Sequence, residues 1–104
     1  MSDIKRMPPV HPGEILREDF MKPRDLSSYA LAQALNVPQT RINDIVLERR
    51  GITADTARRL AAYFGTTIKV WTGLQARFEV EVDRDRLSDE QLLQEVQISS
   101  NGLS

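Results

Sequence analysis

The chain has 104 residues, a formal net charge of -1 and no cysteine. That length suits one domain with a single modest core, and the missing cysteine excludes disulfides and thiolate metal sites, so the cytoplasm is the expected compartment. Near-neutral charge excludes a protein that grips nucleic acid by bulk positive charge, so any DNA contact has to come from a local patch.

Residues 1–10 carry Lys5, Arg6, Pro8 and Pro9 without periodicity and are expected to form a flexible arm. The stretch has no apolar run of the signal-peptide kind, and nothing in the chain reaches membrane-spanning length. A helix is predicted to begin at His11-Pro12-Gly13-Glu14, with Pro at its first position, Ile15, Leu16 and Phe20 facing inward, and Lys22-Pro23 at its end. His11 is the sole histidine. With no nucleophile or carboxylate pair beside it, it reads as a turn or capping residue rather than a catalytic one.

Leu26 to Ile45 organises the rest. Ser27 is an N-cap residue, followed by Leu31, Ala32 and Leu35 on one helical face. Asn36 tolerates the left-handed backbone of a tight turn, Val37 plugs the corner, and Pro38 presets a second helix with Ile42 and Ile45 inward. Gln39, Thr40, Arg41, Asn43 and Asp44 are left outside. The pattern predicts a helix-turn-helix; two helices of an unrelated bundle with a solvated polar face are the alternative.

In the following loop Gly51 is expected to make a turn closed to other residues, and Arg49 and Arg50 read either as phosphate contacts or as solvated charges. Thr53 caps a further helix with Asp55 in its first turn and an apolar stripe of Ala57, Leu60, Ala61 and Phe64, stopped by Gly65. Arg58 and Arg59 lie off that stripe and read as surface charges. After Thr67, Trp71, Leu74 and Phe78 fall on one face, which either buries a partner subunit or seals the monomer core. Gly73 interrupts this helix and is expected to mark the close approach of another backbone. The alternation of Phe78 to Val82 predicts a short strand, and Ser88 to Gln91 a capping box before a short helix with Leu92, Leu93 and Val96.

No phosphate loop, metal-ligand cluster or nucleophile elbow is present, so neither an enzyme nor a cofactor or small-molecule ligand is expected. The residues HPGEILREDF, ALAQALNVPQTRINDIV, GITADTARRLAAYFGTT and the W..LQARF run, in that order, resemble the HigA-type antitoxins of the Cro/repressor-like helix-turn-helix class. The resemblance covers about residues 11–82. It implies an all-α, five-helix DNA-binding and dimerisation domain, followed by a tail over 83–104 that matches no family pattern. It further implies a homodimer on a palindromic operator in its own promoter and a small basic HigB-like, mRNA-cleaving toxin as partner. Carried over by position, Gln39, Thr40, Arg41 and Asn43 match the exposed start of the recognition helix, and Ser28 the polar position that meets the DNA backbone. Arg49 and Arg50 become phosphate contacts. The Trp71, Leu74 and Phe78 stripe, read from its own spacing, is the candidate dimerisation face. A solitary regulator without a toxin partner and a protein-only helical adaptor are the other readings.

Overall fold

The computed structural model describes residues 7–99; Lys5 and Arg6 of the expected arm, and the last residues of the tail, lie outside them. Six helical segments follow one another, with no strand among the described residues. The first, α1, spans residues 12–24. It opens as a regular helix over Pro12–Ile15, widens to a π-type turn over Leu16–Met21 and tightens to a 3-10 turn over Lys22–Arg24. The widening stops at Met21, ahead of Pro23, which has no N–H to offer the carbonyl one turn back. Asp25 closes the segment in the left-handed conformation, at φ 49°.

His11 caps α1 as expected: its Nδ1 accepts from the Gly13 N–H at 2.9 Å, and its ring meets Phe78 edge-on at 4.8 Å. Gly13 has a role that the sequence did not reveal. A Cβ there would collide with the carbonyl oxygen of Ile45, so only glycine lets α1 pass this close to the third helix.

Helices α2 (Ser28–Leu35), α3 (Gln39–Val46) and α4 (Ala54–Phe64) pack with α1 and the start of α5 (Ile68–Arg86) around one core. Ser27, Thr53 and Thr67 cap α2, α4 and α5, each accepting a backbone N–H three residues on. Gly65 ends α4 at φ 72°, where any other residue except Asn or Asp is strained. Leu16, Leu31, Ile42, Ile45, Ala57, Leu60 and Trp71 are fully buried at the centre, with Phe20 and Phe64 packed against Trp71. Arg24 lies over the Phe64 ring at 5.0 Å, covering the edge of this aromatic group.

Three expectations are corrected beyond α4. The residues 78–82 form no strand: α5 runs unbroken to Arg86, because the Gln75–Glu79 and Arg77–Glu81 pairs at i,i+4 fit a helix and no breaker intervenes. The expected break between domain and tail at 82–83 therefore falls inside a helix. Trp71 seals the protomer's own core, its indole Nε1 donating to Thr66 Oγ1 at 2.8 Å, and it presents no surface to a partner. Nothing in the protomer approaches Gly73, where a Cβ would meet open space. The last helix, α6 (Asp89–Glu95), starts with the expected capping box of Ser88 and Gln91 and buries no residue.

Candidate nucleic-acid interface

The reading surface is built on the turn between α2 and α3. Asn36 takes the left-handed conformation at φ 57°, and the Val37 N–H returns to the Ala32 carbonyl at 3.0 Å, so α2 ends abruptly. Half-buried Val37 fills the corner, and Pro38 sits at the N-cap of α3, one position earlier than a first-turn proline. Ile42, Ile45 and Val46 point inward; the remaining positions of α3 face solvent wholly or in part. Gln39 and Thr40 are exposed, Arg41, Asn43 and Asp44 half-exposed, and all sit within the first six residues of the helix.

Ser28 occupies the first position of α2 and is half-exposed. Arg49 and Arg50 are exposed in the loop after α3, beside Asp44, at 3.8 and 3.5 Å from its carboxylate. The turn there is made by Glu48, at φ 63°, not by Gly51. Gly51 instead lies under the Gln75 side-chain amide: a Cβ would come within 2.7 Å of it and shift the amide whose Oε1 accepts the Ile52 N–H at 2.7 Å. Gln75 on α5 thus holds the loop that carries both arginines.

A second anchor joins α2, α3 and α4. Arg59 Nη1 donates to the Leu35 carbonyl at the end of α2, 2.9 Å away, and its Nε donates to Asp55 Oδ2 at 3.0 Å. The same carboxylate oxygen receives Arg41 Nη1 at 2.6 Å. The hydrogen bonds from Arg59 and then Arg41 hold the Asp55 carboxyl below its ordinary range. Arg59 is therefore a structural tie as well as a surface charge. On the other side, Arg17 of α1 reaches the Val46 carbonyl at the end of α3 and approaches Glu48 at 3.5 Å, fixing the helix at its C-terminus.

Sequence reasoning missed Leu47, which is exposed at the end of α3 on the same side as Thr40 and Asp44. Its spacing, seven residues after Thr40 and three after Asp44, was the available signal. Chemically, the surface offers amides suited to adenine edges, a guanidinium suited to guanine or phosphate, and an apolar group suited to a thymine methyl. Among the described residues there is no group of three or more acidic, histidine or cysteine side chains that could hold a metal. Nor is any described helix long and apolar enough to cross a membrane.

A short helix set against a supporting helix by a left-handed turn, with its own polar side presented to solvent, defines a DNA-binding helix-turn-helix module. The family model described as helix-turn-helix matches residues 18–71. Virulence-associated protein I of Dichelobacter nodosus is 52% identical over 83 residues, 79% of this chain and 77% of that protein. Pseudomonas aeruginosa antitoxin HigA, solved with the higBA promoter, is 43% identical with a TM-score of 0.79, covering 86% of this chain and 96% of that one. A further Pseudomonas aeruginosa structure, of a protein in complex with its 18-base-pair operator DNA, is 41% identical with a TM-score of 0.84 over 90% of this chain and 100% of that one. The chain belongs to the helix-turn-helix family, in the group that contains the HigA antitoxins.

Proposed function

We propose that this chain is a non-enzymatic, cytoplasmic antitoxin that represses its own operon as a homodimer on a palindromic operator and neutralises a small basic HigB-like toxin. The observation that carries the reading is the exposed polar start of α3, tied through Arg41 to Asp55 and at its far end by Arg17, and carried on a backbone that matches relatives solved on their promoter or operator DNA. Gln39, Thr40, Arg41 and Asn43 read base edges, while Ser28, Arg49 and Arg50 position the head on phosphates. Two such heads are needed, because one helix covers only a few base pairs and a dimer reads two half-sites one turn apart.

The second copy docks on the distal half of α5 and on α6. Val80, Val82, Leu92 and Leu93 are exposed there, and an open groove of about 360 Å³ runs between the two helices beside Val80, Leu87 and Leu92. Leu74 packs on the core and Phe78 meets the His11 ring, so both, like Trp71, are occupied within the protomer.

The test is a gel shift with the chain's own promoter DNA, made with wild type and Asn43→Ala. Half-exposed Asn43 accepts only the Leu47 N–H through its backbone carbonyl, so the substitution leaves the helix in place. Specific binding should fall by about 1–3 kcal/mol per lost bidentate contact, twice in a dimer, while thermal unfolding stays put. Unchanged operator affinity would remove Asn43 from the reading surface. Co-purification with the product of the adjacent reading frame tests the toxin half of the proposal.

A further inference from the structure

Four arginines of the reading surface, Arg41, Arg49, Arg50 and Arg59, are all matched by two carboxylates of the same surface. Asp55 takes Arg41 at 2.6 Å and Arg59 at 3.0 Å through one oxygen, and Asp44 takes Arg49 at 3.8 Å and Arg50 at 3.5 Å. Asp44 lies on α3 itself, between the reading residues and the loop. Asp55 opens α4 directly beside Arg41. Both carboxylates remain in reach of solvent, with side chains 30% and 49% exposed, so a DNA backbone approaching the arginines also approaches them.

We propose that Asp44 and Asp55 are specificity-determining residues: as built-in counterions they hold Arg41, Arg49 and Arg50 in internal pairs and suppress binding to DNA that lacks the operator sequence. This rests on the DNA-reading assignment above. Non-specific affinity comes from cations that displace condensed counterions along the phosphates. An arginine already paired with a carboxylate has to leave that partner first, and the carboxylate left behind repels the same phosphate. On any sequence the exchange gains little. On the operator, contacts from Gln39, Thr40 and Asn43 to base edges add to it, and the exchange goes forward. Discrimination thus arises from a repulsive element against the wrong site as much as from attraction to the right one. The near-neutral net charge of the chain fits this arrangement, since no bulk positive field offsets the two carboxylates.

The bland alternative is that Asp55 serves the α4 dipole and Asp44 merely solvates α3. A purely structural role would alter unfolding temperature and leave non-specific binding alone.

The experiment is fluorescence anisotropy on the full chain across a salt series, with a promoter duplex and a scrambled duplex of the same length. Asp44→Asn and Asp55→Asn should each tighten scrambled-duplex binding by about threefold, and together by about tenfold, with a steeper salt dependence and a smaller operator-to-scrambled ratio. Unchanged scrambled-duplex affinity and salt slope in the double variant overturn the proposal. A companion variant needs no change near the core: Arg49→Gln with Arg50→Gln should weaken operator binding and leave scrambled-duplex binding at its wild-type value. Equal loss on both duplexes overturns the proposal even if the Asn variants fail to fold. If wild type does not distinguish the two duplexes, the DNA-reading assignment fails and this inference with it.

Discussion

The head, from α1 to the first turn of α5, and the distal arm, from the second half of α5 through α6, are built on opposite terms. All thirteen buried core hydrophobics lie between Leu16 and Trp71. Beyond Trp71 no described residue is buried, although Val80, Val82, Leu92, Leu93 and Val96 are apolar. The head is tied across its elements by side chains that reach carbonyls at helix ends. The arm is held by local pairs, Arg77–Glu81 and Arg86–Asp83 among them, of a kind worth only a few tenths of a kcal/mol each. A helix of 19 residues is about 28 Å long, so α5 carries its second half well clear of the core. The difference teaches a division of labour. The head is complete as a protomer, whereas the arm has apolar surface that no described residue covers.

Trp71→Ala gives the largest effect and sharpens the boundary between the two regions. The side chain is fully buried and bonded to Thr66, so its loss should destabilise the protomer by about 3–5 kcal/mol, read as a fall in the urea midpoint. A variant as stable as wild type but impaired only in dimerisation would return Trp71 to the arm's face and break the division.

Val80→Asp combined with Leu92→Asp should do the reverse. Both side chains are exposed, so protomer stability should move by no more than about 0.5 kcal/mol. A charge buried in the seam should leave monomers at micromolar concentration in sedimentation, and operator affinity should fall by about a hundredfold as the two heads become independent, which is about 2.7 kcal/mol. A dimer with wild-type operator affinity would show that the second copy docks elsewhere.

What could be read from the sequence follows the same division. Helix starts and stops in the head are local signals, and Ser27, Asn36, Thr53, Gly65 and Thr67 all act where their chemistry suggests. The outward side of α3 followed from the inward pattern of Ile42 and Ile45. Contacts between distant positions could not be read that way. Gly13 against Ile45, Gln75 against Ile52 and Arg41 against Asp55 pair residues 14 to 32 positions apart, and no spacing rule connects them. In the arm the two-residue alternation of FEVEV outweighed the i,i+4 pairs that keep it helical, because without a breaker both periods fit five residues. Trp71 was ambiguous for a related reason: an aromatic stripe looks the same whether its cover is its own chain or a second one.

The smallest effect lies where head and arm meet, at His11 beneath Phe78. Burial pushes the His11 imidazole below its ordinary value of 6.5, opposed by the charge of Glu48 and aided by that of Arg17. The neutral ring is also the one that can cap, since Nδ1 must accept from Gly13. Between its lowered native pKa and about 6.5 the unfolded chain binds more protons than the native one, so stability rises with pH across that window. The contribution is complete above about pH 6.5 and is lost as pH falls through the native value. Urea midpoints of wild type and His11→Asn at about pH 7.5 and about pH 5.5 isolate it, because asparagine keeps a capping acceptor without titrating and both chains share the same carboxylates. Wild type should lose more stability on acidification than the variant. Equal losses would mean that the ring contributes packing against Phe78 but no proton-linked stability, leaving the junction insensitive to pH.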